Sequence, residues 1–224
     1  MAQANRHILG ALALHFGALA MPVAASAHPH VFVDTGIEAV VGPDGTISGL
    51  RITWTYDELY TLLTFEDFGL DPDADGILSD AETAALQGFD MHWVDGYDGG
   101  MHLLLGDVAQ ALGPPQEATA TVADGMITTT HFRPLVVPIR PGVDQPLIIQ
   151  NYDPEYYVAY TVIAGQVSGD AACAAVIYGF DPAAADAALT AASDEYAGSD
   201  DPNAAFPKIG AAYSDEVRIA CQSE

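Results

Sequence analysis

The stretch VFVDTGIEAVVGPDGTISGLRITWTY, residues 31–56, decides the fold class. Val31, Val33, Thr35 and Ile37 alternate with Phe32, Asp34 and Gly36, a period of two that only an extended chain turns into two faces. Residues 30–41 therefore read as a strand. Gly42-Pro43-Asp44-Gly45 reads as a turn and Ile47 to Thr55 as a second strand, which makes a hairpin.

Downstream the period changes. Leu59, Leu62, Leu63, Phe65 and Phe68 suit one side of a helix, and Thr55 with Glu58 three residues on has the spacing of a capping box. A second short helix is expected over residues 80–88. Strand patterns then return at Met91 to Val94, His102 to Leu105, Ala118 to Val122 and Met126 to Phe132. Leu147 to Gln150, Tyr156 to Ile163, Ala172 to Tyr178 and Glu216 to Cys221 complete the series. Asp124-Gly125 is a strong hairpin turn. Asp181-Pro182 opens an Ala-rich helix, with an N-cap followed by proline in the first turn. Residues 193–203 are polar and acidic. The sum is an α+β chain, a β-rich, sandwich-like domain with a small helical, EF-hand-like insertion at 56–90. The expected divisions are a leader at 1–27, the β-rich domain at 28–180, and a closing segment at 181–224.

The leader has Arg6, an apolar run from Ile8 to Ala20, and Ala25-Ser26-Ala27 before a cleavage point, the pattern of a secretory signal. The run is too short to span a bilayer as a helix. Cleavage after Ala27 leaves His28 with a free amine; cleavage after Ala25 hides that amine. A soluble periplasmic protein follows as the expectation. The formal net charge of −25 repels nucleic acid and concentrates cations, and much of it serves as a solvated surface. Cys173 and Cys221, an even pair in an oxidising compartment with no CxxC, read as a disulfide.

DPDADGILSDAE, residues 71–82, carries the full ligand spacing of an EF-hand calcium loop. Asp71, Asp73 and Asp75 take positions 1, 3 and 5, and Gly76 makes the sharp turn. Ile77 offers its carbonyl at position 7, Ser79 sits at 9 and Glu82 is the bidentate ligand at 12. A hard cation needs six or seven oxygens, and alternate residues of a tight loop supply them. The competing reading is an acidic loop stiffened by Asx-turns. A single loop favours a structural Ca²⁺ over a sensing one.

His28 and His30 fall on the same side of a strand and together form half of a transition-metal site for Zn²⁺, Ni²⁺ or Co²⁺. Pro29 has no N–H, which excludes square-planar binding through a deprotonated second amide. Further donors would come from Asp57, Glu58, His131 or Asp153. Each has a plainer role open to it: Glu58 as a cap partner, Asp153 as a turn residue, His131 as a half-buried strand residue. No catalytic constellation is visible: there is no Gly-x-Ser-x-Gly elbow, HExxH or phosphate loop.

His28-Pro29-His30-Val31-Phe32, Trp54-Thr55-Tyr56-Asp57-Glu58 and Tyr152-Asp153-Pro154-Glu155-Tyr156-Tyr157-Val158 resemble the bacterial domain of unknown function family number 1007. Cys173 with Cys221 and the Asp-rich loop also fit part of that family. The resemblance implies a periplasmic component of an ABC-type transport system, associated with nickel, cobalt or zinc transporters. It puts His28 and His30 on the histidine motif and Asp57 and Glu58 on the Trp-x-x-Asp-Glu motif. The expected function is a non-enzymatic, metal-binding accessory to an inner-membrane metal transporter. One rival is a calcium-stabilised interaction module without transition metal. The other is a copper oxidase built on an N-terminal histidine brace.

Overall fold

The computed structural model describes residues 29–94, 96–169, 172–197 and 208–222. The leader and His28 lie outside the described residues. The strands are β1 (Val31–Val41), β2 (Ile47–Tyr56), β3 (Met101–Leu105), β4 (Val108–Gln110), β5 (Gln116–Ala123), β6 (Met126–Ile139), β7 (Leu147–Asn151), β8 (Val158–Ser168), β9 (Cys173–Tyr178) and β10 (Glu216–Cys221). The helices are α1 (Glu58–Phe68), α2 (Asp80–Ala85) and α3 (Pro182–Ala197).

These strands form two five-stranded sheets, ordered β5-β6-β2-β1-β8 and β4-β3-β7-β10-β9. The opening hairpin forms as its alternation dictates, with Thr35 opposite Trp54 and Ile37 opposite Ile52. The buried side of β1 is Val33, Thr35, Ile37, Ala39 and Val41. It joins Leu50, Ile52 and Trp54 of β2 with Leu103, Leu147, Ile149, Val217 and Ile219 of the second sheet in one apolar cluster. Each such side chain contributes roughly 1.5–3 kcal/mol on burial. The first sheet is antiparallel except where β8 runs parallel to β1, from Val31 opposite Val158 onward. Gly49 permits a close approach of β2 to β6. A Cβ there would lie 2.5 Å from the Arg133 carbonyl oxygen.

Several expectations change on folding. The strand expected at Tyr156 to Ile163 runs from Val158 to Ser168, and β7 and β8 belong to different sheets. Met91 to Val94 is not a strand. Phe89–Met91 is a 3-10 turn, closed as the Trp93 indole N–H donates to the Asp90 carbonyl at 2.7 Å. The cap of α1 is Asp57, whose carboxylate accepts from the Tyr60 N–H. Thr55 stays in β2 and pairs with the Thr128 hydroxyl at 2.9 Å. The packed side of α1 is Thr61, Thr64 and Phe65. Leu59, Leu62, Leu63 and Phe68 are exposed.

The Ala-rich helix α3 begins as its sequence requires, with Asp181 accepting from the N–H groups of Ala183 and Ala184. β10 then enters the second sheet between β7 and β9. Cys173 and Cys221 face each other on β9 and β10 and are disulfide-bonded.

Candidate metal centre

α1 leaves β2 through Asp57 and ends at Gly69 in the left-handed conformation, with the Gly69 and Leu70 N–H groups closing on Glu66 and Phe65 carbonyls. Leu70 and Leu86 are buried, and Leu78 packs against the same core. These three leucines bracket the acidic loop and hold it against the sandwich. Gln87 adds a polar clamp. Its side-chain amide donates to the Ala120 carbonyl at 2.8 Å and its oxygen accepts the Ala120 N–H at 3.0 Å. Ala120 lies on β5, an outer strand of the first sheet. Gln87 thus completes an exposed strand edge as a neighbouring strand would.

Within the loop, carboxylate oxygens of Asp71, Asp73 and Asp75 lie within 4.8 Å of one another. Backbone N–H groups hold the Asp71 and Asp75 carboxylates in place. Asp71 accepts from the N–H groups of Asp75 and Gly76, both at 3.0 Å, and Asp75 accepts from Ile77 at 2.8 Å. Gly76, at φ 76°, takes the left-handed turn that side chains disfavour. Ser79 and Glu82 form a reciprocal capping box at the start of α2. Glu82 also accepts the Asp71 N–H at 3.1 Å, which ties the two ends of the loop together. The Ser79 hydroxyl and amide hold the Glu82 carboxyl below the usual carboxylate range, so it stays ionised.

Three like charges this close repel, and a divalent cation offsets that repulsion. The donor set is all oxygen, the chemistry that suits Ca²⁺. Asp71, Asp73 and Asp75 would hold the ion, with Ser79 and the Ile77 carbonyl beside them in the loop; Glu82 lies outside that convergence, its two oxygens accepting from Asp71 and Ser79.

The transition-metal candidates are placed differently. β1 and β8 run parallel and β2 antiparallel to them, so His30, Asp57, Glu58 and Asp153 fall at one end of the first sheet. His30 is exposed, its ring centroid 4.7 Å from that of Tyr157 and its N–H donating to the Tyr157 carbonyl. Both carboxylate oxygens of Asp57 are engaged: one caps α1, the other accepts the Phe32 N–H at 2.8 Å. Asp153 accepts from the Glu155, Tyr157 and Val158 N–H groups, the work of a turn residue. Glu58 is exposed in the first turn of α1. His131 is fully buried in the core, between Trp54 and Trp93 at ring distances of 4.7 and 5.9 Å. Among the described residues, only Asp71, Asp73 and Asp75 bring three such donors together.

A buried polar group carried no sequence signal. Asn151 on β7 accepts from the Thr35 hydroxyl and the Trp54 indole of the opposite sheet. It donates to the Gly99 and Gly100 carbonyls. Asp90 accepts from the Tyr56 and Thr129 hydroxyls through one oxygen, and its other oxygen is buried without a partner. Burial pushes the Asp90 carboxyl up, opposed by those two hydroxyls. Both ring nitrogens of His131 also lack partners. The contributing residues are far apart in the chain, so no local spacing betrays them.

A β sandwich carrying a helix-bracketed acidic loop is the class of protein that the geometry defines. The chain belongs to the family described as Protein of unknown function (DUF1007), which it matches over residues 13–221. A comparison with curated proteins finds no match.

Proposed function

We propose that this protein is an exported calcium-binding module, in which one ion at residues 71–82 fixes the helical insertion to the sandwich. The convergence of the Asp71, Asp73 and Asp75 carboxylates carries the reading. The disulfide suits an oxidising compartment. No helix among the described residues is long and apolar enough to cross a membrane. The test is a thermal melt after EDTA and after Ca²⁺ is returned. At about 100-fold excess over Kd, the ion adds about 2.7 kcal/mol. The midpoint should rise in the native chain and stay fixed in D71N/D75N. An unmoved midpoint in the native chain, with no heat of Ca²⁺ binding, removes the proposal.

A second role is favoured by the exposed His30 at the open end of the first sheet, two residues from His28. We propose that this pair captures a transition metal for an inner-membrane transporter, in keeping with the family resemblance. With Asp57 and Asp153 committed to backbone N–H groups, the imidazoles carry most of the binding. Zn²⁺, Ni²⁺ and Cu²⁺ titrations of the processed chain and of H28A/H30A decide this. Equal affinities leave the calcium module alone. Copper-dependent turnover with a reductant points to the histidine-brace oxidase instead.

A further inference from the structure

The geometry points to a docking surface on α1 for a partner polypeptide segment that is apolar and flanked by Lys or Arg. Of the five apolar residues that its pattern puts on one side, the helix buries only Phe65. Thr61, Thr64 and Phe65 face the protein, while Leu59, Leu62 and Leu63 are 63%, 61% and 50% exposed and Phe68 is 49% exposed. Leu59, Leu62 and Leu63 stand at i, i+3 and i+4 and form one outward stripe. Folding has therefore left a leucine face unused, in a helix already anchored by other residues. Beside the stripe lies a groove of about 570 Å³, lined in part by Leu59, Leu63, Thr64, Phe68 and Phe89. An apolar face of this kind beside a groove is how amphipathic segments are taken up.

Charge selects the occupant. Glu58, Glu66 and Asp67 are exposed on the same helix, and Asp67 lines the groove. No Lys or Arg is among the described residues that line it. Among the described residues, the basic side chains Arg51, Arg133, Arg140, Lys208 and Arg218 lie outside this lining. A second copy would bring the same carboxylates and the same net charge of −25 to the contact. A segment with leucine-like anchors and cationic flanks meets both the apolar stripe and its acidic border. This surface is separate from the calcium ligands, so its failure and that of the calcium reading are distinguishable; His30 lines the same groove, so the peptide is titrated without added transition metal.

The probe is a fluorescein-labelled helical peptide of Leu and Lys, with leucines at i, i+3, i+4 and i+7, followed by anisotropy at about 0.15 M salt. The chain should bind it. L59S/L63S should weaken binding by about tenfold or more, because central apolar anchors dominate such contacts. Those positions are exposed, so the circular dichroism should not change. E66Q/D67N should weaken binding less and flatten its salt dependence. Equal binding of a Lys and Ser peptide of the same charge overturns the proposal, as does unchanged binding by L59S/L63S. Two other occupants would also overturn it. A dimer in sedimentation that L59S/L63S dissolves assigns the face to a second copy. Tighter, Leu59-dependent binding of a synthetic peptide of residues 1–27 assigns it to the chain's own leader.

Discussion

His131 shows how one side chain sets the response of the protein to acid. It sits in the core with no hydrogen bond to either nitrogen, and burial, reinforced by the Arg133 charge, pushes its pKa down to about 4. The same ring in the unfolded chain titrates near ~6.5. Between those values the unfolded chain takes up a proton that the folded chain refuses. The contribution of this ring to stability therefore falls as the pH drops from about 6.5 to about 4, by about 3 kcal/mol. H131F removes the titrating group and keeps an aromatic ring between Trp54 and Trp93. The difference in urea midpoint between H131F and the native chain should move in favour of H131F on going from pH 7 to about 4.5. Carboxylates such as Asp44 and Glu82, held low in the fold, act equally in both chains and cancel. Parallel pH profiles would show that the ring is solvated or hydrogen-bonded in solution. None of this was legible beforehand. Alternation placed His131 on a strand, but not between two tryptophans, because Trp93 arrives from a turn that the pattern had taken for a strand.

At the scale of elements, the insertion is held by few contacts, and one of them is polar. The paired bonds from Gln87 to Ala120 leave no free backbone group at that point of β5. Replacing Gln87 with Leu strips both partners from a part-buried N–H and C=O, at a cost of about 1–3 kcal/mol. Limited proteolysis in residues 69–88 should quicken as α2 loosens from the strand edge. An unchanged cleavage rate would mean that Leu70, Leu78 and Leu86 suffice. The existence of α1 and α2 and the meeting of Asp71, Asp73 and Asp75 could be read directly, since both are set by neighbours a few residues apart. The orientation of α1 could not. The Thr61 hydroxyl accepts the Ile127 N–H at 3.0 Å, and the Thr64 hydroxyl bonds back to the Tyr60 carbonyl at 2.9 Å. These small polar residues bring the helix close to β6, which bulky leucines on that side would prevent. Of the apolar residues on the expected side, hydrophobicity placed only Phe65 correctly.

The whole molecule is closed by its last strand. β10 pairs with both β7 and β9, and the disulfide crosslinks it to β9 across a sequence separation of 48. On the chain-entropy account, a loop of that length is worth about 4 kcal/mol. C173S/C221S should lower the unfolding midpoint accordingly, and a reductant should match its effect on the native chain. A loss well under about 1 kcal/mol would mean that the disulfide restrains the unfolded chain little. The two-sheet class followed from the alternation begun at Val31, whereas the distribution of strands between sheets did not. Asn151, which bonds Thr35 and Trp54 across the core, depends on that long-range assembly. The parallel join of β1 to β8 has a temporal consequence. The ribosome makes β1 first, yet its outer neighbour, paired from Val31 to Val158, comes only after most of the polypeptide exists. Until then one side of β1 remains an open template, and a nascent chain stalled at that stage is at its most prone to stick to others or be degraded.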